Sequence, residues 1–204
     1  MTVIAALKQN NIVYMGCDSV FMDLESLQPV RRKQSKLIIK DEMIIGFTAG
    51  NGCKILQVLK HKFNVPSTRK VATEDLEDYM ATKFCSKLFN LLQSEDMLED
   101  DTDKKNSPPC LSPATLLIGI RDKIFHVGED FDTYEIESNF FAIGSGAPFT
   151  LGALHSTLGL INPTQMDPEH HLLHALKTAE HFTQGVKGPF QICDTEKKCL
   201  LDYC

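Results

Sequence analysis

The chain has 204 residues, 43% of them apolar and 24% charged, with a formal net charge of −6. That length buries a core of its own, and the balance is ordinary for a soluble globular protein. Its Lys and Arg are scattered rather than gathered in the basic stripe that binds nucleic acid, and no apolar run reaches the roughly 18–20 residues that cross a bilayer.

Short apolar runs at 3–7 and 12–17, split by Lys8-Gln9-Asn10-Asn11, predict a β-hairpin, and 36–40 and 43–47 around Asp41-Glu42 predict a second. The polar stretch 22–35 between them reads as irregular. Asn51 is placed to cap a helix running to about His61. Thr73 is placed to cap a longer helix, with Leu76, Met80, Phe84, Leu88 and Leu91 as its buried stripe. Residues 94–113, dense in Asp and Glu and closed by prolines, read as an acidic surface loop. Strands are expected at 115–120, 123–127, 133–137 and 140–143. Helices follow at about 148–158 and from an Asp167 cap, with Pro168 in its first turn, to about Phe182. A last strand fits 189–193, ahead of a short Cys-containing tail from about 194. Blocks of strands followed by blocks of helices predict layered packing in a single domain over 1–204, not alternating βαβ units.

Seven cysteines, an odd number with no CxxC pair, read as reduced thiols. The N-terminus lacks the layout of a signal peptide, so a cytoplasmic protein is expected. His170, His174 and His181, with His171 beside them, read as helix-surface histidines, since neither an HExxH motif nor an acidic third ligand accompanies them. No metal site and no cofactor are expected. Gly144-Ser145-Gly146 lacks the further glycine and lysine of a phosphate loop.

Thr2 carries the sharper chemistry. Removal of Met1 would put a hydroxyl nucleophile and an α-amine base, of ordinary pKa about 7.7–8.0, on one residue. Around it stand Thr2-Val3-Ile4-Ala5-Ala6, Val13-Tyr14-Met15-Gly16-Cys17-Asp18-Ser19, the run from Lys36 through Gly46 to Gly50, and Ala142-Ile143-Gly144-Ser145-Gly146-Ala147. In order and spacing, over nearly the whole length, these stretches resemble the proteasome β-type and HslV-like peptidases of the N-terminal-nucleophile hydrolases.

The resemblance implies an α+β fold, a four-layer αββα sandwich. It places the nucleophile on Thr2, the acid on Asp18 and the essential lysine on Lys36, matched by its ten-residue distance to Gly46. Lys33 competes for that role but opens no strand. A cation beside the α-amine favours the neutral, basic form of that amine, and Asp18 would balance and hold the lysine. Gly50 is implied as the oxyanion-hole donor, Ser145 as a hydrogen-bond partner of the amine, and Val20 and Thr48 as pocket walls. Further expectations are an unfolded polypeptide substrate, a homo-oligomeric double ring and an AAA+ ATPase unfoldase as partner, with neither nucleic acid nor membrane bound. The chain departs from the family at three positions. Val3 replaces a second threonine, and Thr183 and Val186 stand where the proteasome branch carries Asp and then Ser. A non-catalytic ring or scaffold subunit and an amidase acting on small molecules are the alternatives.

Overall fold

Ten of the twelve strands of the described residues form two five-stranded sheets that bury both faces, and the other two form a separate ribbon. In chain order the strands are β1 (Ile4–Gln9), β2 (Ile12–Cys17), β3 (Val20–Met22), β4 (Pro29–Arg31), β5 (Leu37–Lys40), β6 (Met43–Ala49), β7 (Ala114–Ile120), β8 (Lys123–Val127), β9 (Thr133–Glu135), β10 (Phe140–Ile143), β11 (Phe190–Asp194) and β12 (Leu201–Tyr203). The structure, a computed structural model, describes residues 2–22, 28–31, 34–49, 53–98, 110, 114–160 and 167–203. One antiparallel sheet runs β10-β1-β2-β11-β12 and the other β5-β6-β7-β8-β9.

Three apolar cores define the layers. Ile4, Ala6, Val13 and Met15 of the first sheet meet Leu37, Ile44, Leu117 and Ile124 of the second. The residues between them in sequence face outward. Val3, Ala5 and Leu7 pack beneath α4 (Ala147–Leu160) and α5 (Pro168–Phe182), through Leu154, Leu172 and Leu176. Met43, Ile45 and Phe47 pack beneath α1 (Cys53–His61), α2 (Leu76–Tyr79) and α3 (Cys85–Ser94), through Leu59, Tyr79 and Leu88. Helix, sheet, sheet and helix therefore stack as four layers, each sheet burying both faces.

Both predicted hairpins form. The last long helix begins as expected: Asp167 accepts a hydrogen bond from the Glu169 amide at 3.3 Å, with Pro168 in the first turn. Other details differ. Part of the stretch read as irregular forms β3 and β4, a two-stranded ribbon, and the tail forms β12, pairing with β11. Thr73 opens a short 3-10 turn without capping it; its hydroxyl instead accepts from Arg121 at 3.2 Å. A π-turn over Met80–Phe84 joins α2 to α3, and the buried stripe ends on Leu92, not Leu91. Steps of four residues overshoot a 3.6-residue turn by about 40° each, and the wider π-turn takes part of that drift back. His170, His174 and His181 are exposed as predicted. His171 is fully buried, with Nδ1 3.2 Å from the Thr157 hydroxyl of α4. Asn51 and most of the acidic stretch 94–113 lie outside the described residues. Among the described residues no helix is long and apolar enough to cross a membrane.

Candidate active site

β1 and β2 pair with Ile4 opposite Cys17, so Thr2 and Val3 run on beside Asp18. Lys36 sits one residue ahead of β5, its carbonyl accepting from the Phe47 amide at 3.3 Å. The two sheets come close here because Gly46 has no side chain. A Cβ at that position would stand 2.5 Å from Ile4 Cγ2. Beyond β10 the chain turns through Gly144 at φ +91°, a backbone that side-chain-bearing residues seldom adopt, and this sets Ser145 over Thr2.

Thr2, Asp18 and Lys36 thus converge, with Asp18 wholly buried and Lys36 2% exposed. Asp18 Oδ1 accepts from the Thr2 hydroxyl at 3.0 Å and from the Val3 amide at 2.9 Å, while Oδ2 accepts from the Val20 amide at 3.2 Å. Lys36 Nζ donates to both carboxylate oxygens at 2.8 Å, to the Val20 carbonyl at 2.6 Å and to the Thr2 hydroxyl. Ser145 Oγ accepts from the Thr2 nitrogen at 3.1 Å and donates to the Thr2 carbonyl at 3.2 Å, which the Gly146 amide also reaches at 3.2 Å. A buried hydroxyl held between an ammonium and a carboxylate, with its own nitrogen on a serine, is arranged for proton transfer and nucleophilic attack.

Burial, with Asp18 beside it, pushes the Cys17 thiol up to about 12, which keeps that sulfur protonated. Val20 is buried at the edge of the cluster. Thr48 shares the strand parity of Ile44 and Gly46, facing the other sheet, and its hydroxyl lies 2.9 Å from that of Thr115. Gly50 and Lys33 lie outside the described residues. Among the described residues no three His, Cys, Asp or Glu side chains gather as a metal site.

Sequence reasoning did not anticipate the Val20 carbonyl as an acceptor for Lys36, nor Phe21, whose ring centroid lies 4.9 Å from Nζ. A backbone carbonyl and a cation–π contact leave no residue-type signature at these spacings. The two departures are also placed. Val186 is fully buried in the core shared with Val3 and Ala179, and the Thr183 hydroxyl is buried without a hydrogen-bond partner among the described residues.

The layers and the sheet order make this the proteasome-like N-terminal-nucleophile hydrolase fold. Solved structures share it. Thiobacillus denitrificans BPH, in complex with epoxomicin, matches with TM-score 0.70 at 17% identity, over 95% of this chain and 97% of its own. Eukaryotic HslV from Trypanosoma brucei matches with TM-score 0.60 at 18% identity, over 95% and 98%. Anbu, an ancestral beta-subunit from Yersinia bercovieri, matches with TM-score 0.65 at 11% identity, over 98% and 86%. No family model matches the sequence, and no curated protein does.

Proposed function

We propose that the chain is a threonine peptidase that hydrolyses peptide bonds of unfolded polypeptides within a ring-shaped complex. The observation that carries this reading is the convergence of Asp18, Lys36 and Ser145 on the hydroxyl and nitrogen of Thr2.

Cleavage of the Met1–Thr2 bond frees the α-amine. The Thr2 oxygen then attacks the scissile carbonyl and its proton passes to that amine. The Lys36 ammonium beside the oxygen favours its attacking, electron-rich form and keeps the amine neutral. As the tetrahedral intermediate collapses, the C–N bond breaks and the α-ammonium returns its proton to the leaving amine, giving an ester on Thr2. Water, losing a proton to the amine, attacks that ester; the C–O bond to Thr2 breaks, the α-ammonium returns its proton to the Thr2 oxygen, and the acid is released. Asp18 holds Lys36, Ser145 orients the amine, and the Gly50 amide is the donor proposed for the oxyanion. Val20 and Thr48 are proposed to wall the substrate pocket. The supply of unfolded chain, by an AAA+ ATPase, and a homo-oligomeric double ring in the cytoplasm belong to the same proposal.

A second reading is a subunit that kept the fold and lost the reaction. It is favoured by Val186, an apolar residue where the resemblance calls for a hydroxyl. Intact mass after incubation with an epoxyketone separates the two, a probe class suggested by the epoxomicin complex of the Thiobacillus denitrificans neighbour. The expected species lacks Met1 and carries one adduct. A species that keeps Met1 and gains no adduct overturns the peptidase reading, because the base would then be an amide.

A further inference from the structure

The Lys36 ammonium has three protons to give, and among the described residues four oxygens stand ready to take them. Both carboxylate oxygens of Asp18 lie at 2.8 Å, the Val20 carbonyl lies at 2.6 Å, and the Thr2 hydroxyl completes the set. Lys36 is 2% exposed, so bulk water does not enter the contest. Each proton turned to Asp18 or to Val20 is one withheld from the Thr2 oxygen, the atom that becomes electron-rich during attack. How the ammonium is held therefore decides how well it serves that oxygen.

Phe21 holds it in a different manner. Nζ lies over the ring, 4.9 Å from the centroid, inside the roughly 6 Å reach of a cation–π contact. A ring face attracts the whole cation through its quadrupole, so it grips the charge without claiming one of the three protons. An oxygen in the same place would claim one. A cation–π contact is also stronger where water is excluded, as it is around this pair.

The backbone fixes where the ring points. Val20, the residue before it, donates from its amide to Asp18 Oδ2 at 3.2 Å and accepts from Lys36 on its carbonyl. β3 then pairs with β4, Val20 opposite Arg31 and Phe21 opposite Val30. The half-buried ring packs against the core that β6 shares with α1, α2 and α3. Two consecutive residues of β3 thus grip the acid, the lysine and the charge itself. We propose that Phe21 is a positioning residue of the active site, whose ring face holds the Lys36 ammonium while leaving an N–H for the Thr2 oxygen. This inference rests on the threonine-peptidase reading and deepens it. A leucine at position 21 would fill space but would not attract the cation, and Nζ would settle on Asp18 and the Val20 carbonyl.

The test follows inactivation of the full-length protein by epoxomicin, the ligand of the Thiobacillus denitrificans neighbour, as adduct mass against time and inhibitor concentration. Two variants separate charge from shape. A ring-fluorinated phenylalanine at position 21 keeps nearly the same shape and withdraws electron density from the face, and Phe21→Leu removes the face altogether. The inactivation rate at saturation is expected to fall about threefold in the first and about tenfold in the second, on the scale of a desolvated cation–π contact. The half-saturating concentration and the circular dichroism are expected to stay at their wild-type values. A fluorinated variant that reacts at the wild-type rate overturns the role of the ring face, and it decides the matter even if Phe21→Leu fails to fold. A raised half-saturating concentration with an unchanged rate at saturation also overturns the proposal, since Phe21 would then touch the inhibitor and not act through Lys36. Wild type that gains no adduct overturns the peptidase reading and this inference with it, whereas labelled wild type with insensitive variants overturns this inference alone.

Discussion

Lys36 Nζ lies 2.8 Å from each carboxylate oxygen of Asp18, and the two side chains are 3% and 0% exposed. Neither charge has water to turn to. Removing one partner of a buried pair costs about 3–5 kcal/mol, more than the intact pair contributes, because the other charge is left uncompensated. Asp18→Asn keeps the shape but leaves Lys36 facing a neutral amide that offers it one acceptor. The expected result is loss of epoxyketone labelling by about 100-fold or more, the scale of positioned proton-transfer groups, together with a clearly lower Tm. Labelling at the wild-type rate would remove Asp18 and Lys36 from the proposed machinery.

Gly144 places Ser145, and its own geometry makes it a sensitive position. At φ +91°, a Cβ would stand 2.5 Å from the Thr2 carbonyl oxygen, an atom of the backbone that carries the nucleophile. Gly144→Ala therefore carries a backbone strain of about 1–3 kcal/mol and pushes Thr2 away from Ser145. The variant is expected to fold, with Tm lowered by several degrees, and to label at least about tenfold more slowly, since loss of alignment alone has that effect. Thermal melts and labelling rates measured on one sample check both.

Much of this arrangement was legible before the structure, for a physical reason. β1 and β6 bury both faces in a four-layer stack, so their apolar residues run almost unbroken and the hairpin turns alone punctuate them. Thr2, Asp18, Lys36 and Ser145 were picked out by the resemblance, on stretches matched in order and spacing, and register brings those stretches into contact. β3, β4 and β12 were not legible. Each has three residues, Pro29–Arg31 is exposed throughout, and strands that short are set by the partner they reach. The buried His171 was hidden among surface histidines because one residue of helical phase separates it from His170. The end of the α3 stripe at Leu92 was hidden because a π-turn has no residue signature.

Val186 is the departure with a measurable consequence. Its side chain lies in the apolar core, 3.1 Å from where a Cβ on Gly146 would stand. Val186→Ser removes buried methyl groups and adds a hydroxyl there, at a cost of about 1–3 kcal/mol. The same hydroxyl restores the one that the resemblance places in support of the nucleophile, so labelling is expected to accelerate several-fold as Tm falls. A lower Tm without faster labelling would assign the position to packing alone. Thr183→Val is the companion measurement. The hydroxyl it deletes is buried and has no partner among the described residues, so stability should hold or rise by up to about 1 kcal/mol.

Two histidines, His171 buried and His126 half-buried, give the stability a pH dependence of definite sign. Burial, with His174 as a lesser cause and Asp167 opposing, holds the His171 imidazole below its usual range; burial does the same for His126, with Asp132 opposing. In the unfolded chain each takes up a proton near pH 6.5, and the folded site resists that protonation. The unfolded state therefore binds more protons below that pH, so the contribution is complete above about 6.5 and is lost as pH falls toward the lower folded value. Melts recorded from about pH 7.5 down to about 5.0 should show a falling Tm, with each 1 kcal/mol lost appearing as about 2–4 °C for a chain of this size. His171→Gln keeps a group able to meet the Thr157 hydroxyl but does not titrate, and its melts should fall less over the same interval. A variant as steep as wild type would move the pH dependence away from the α4–α5 contact.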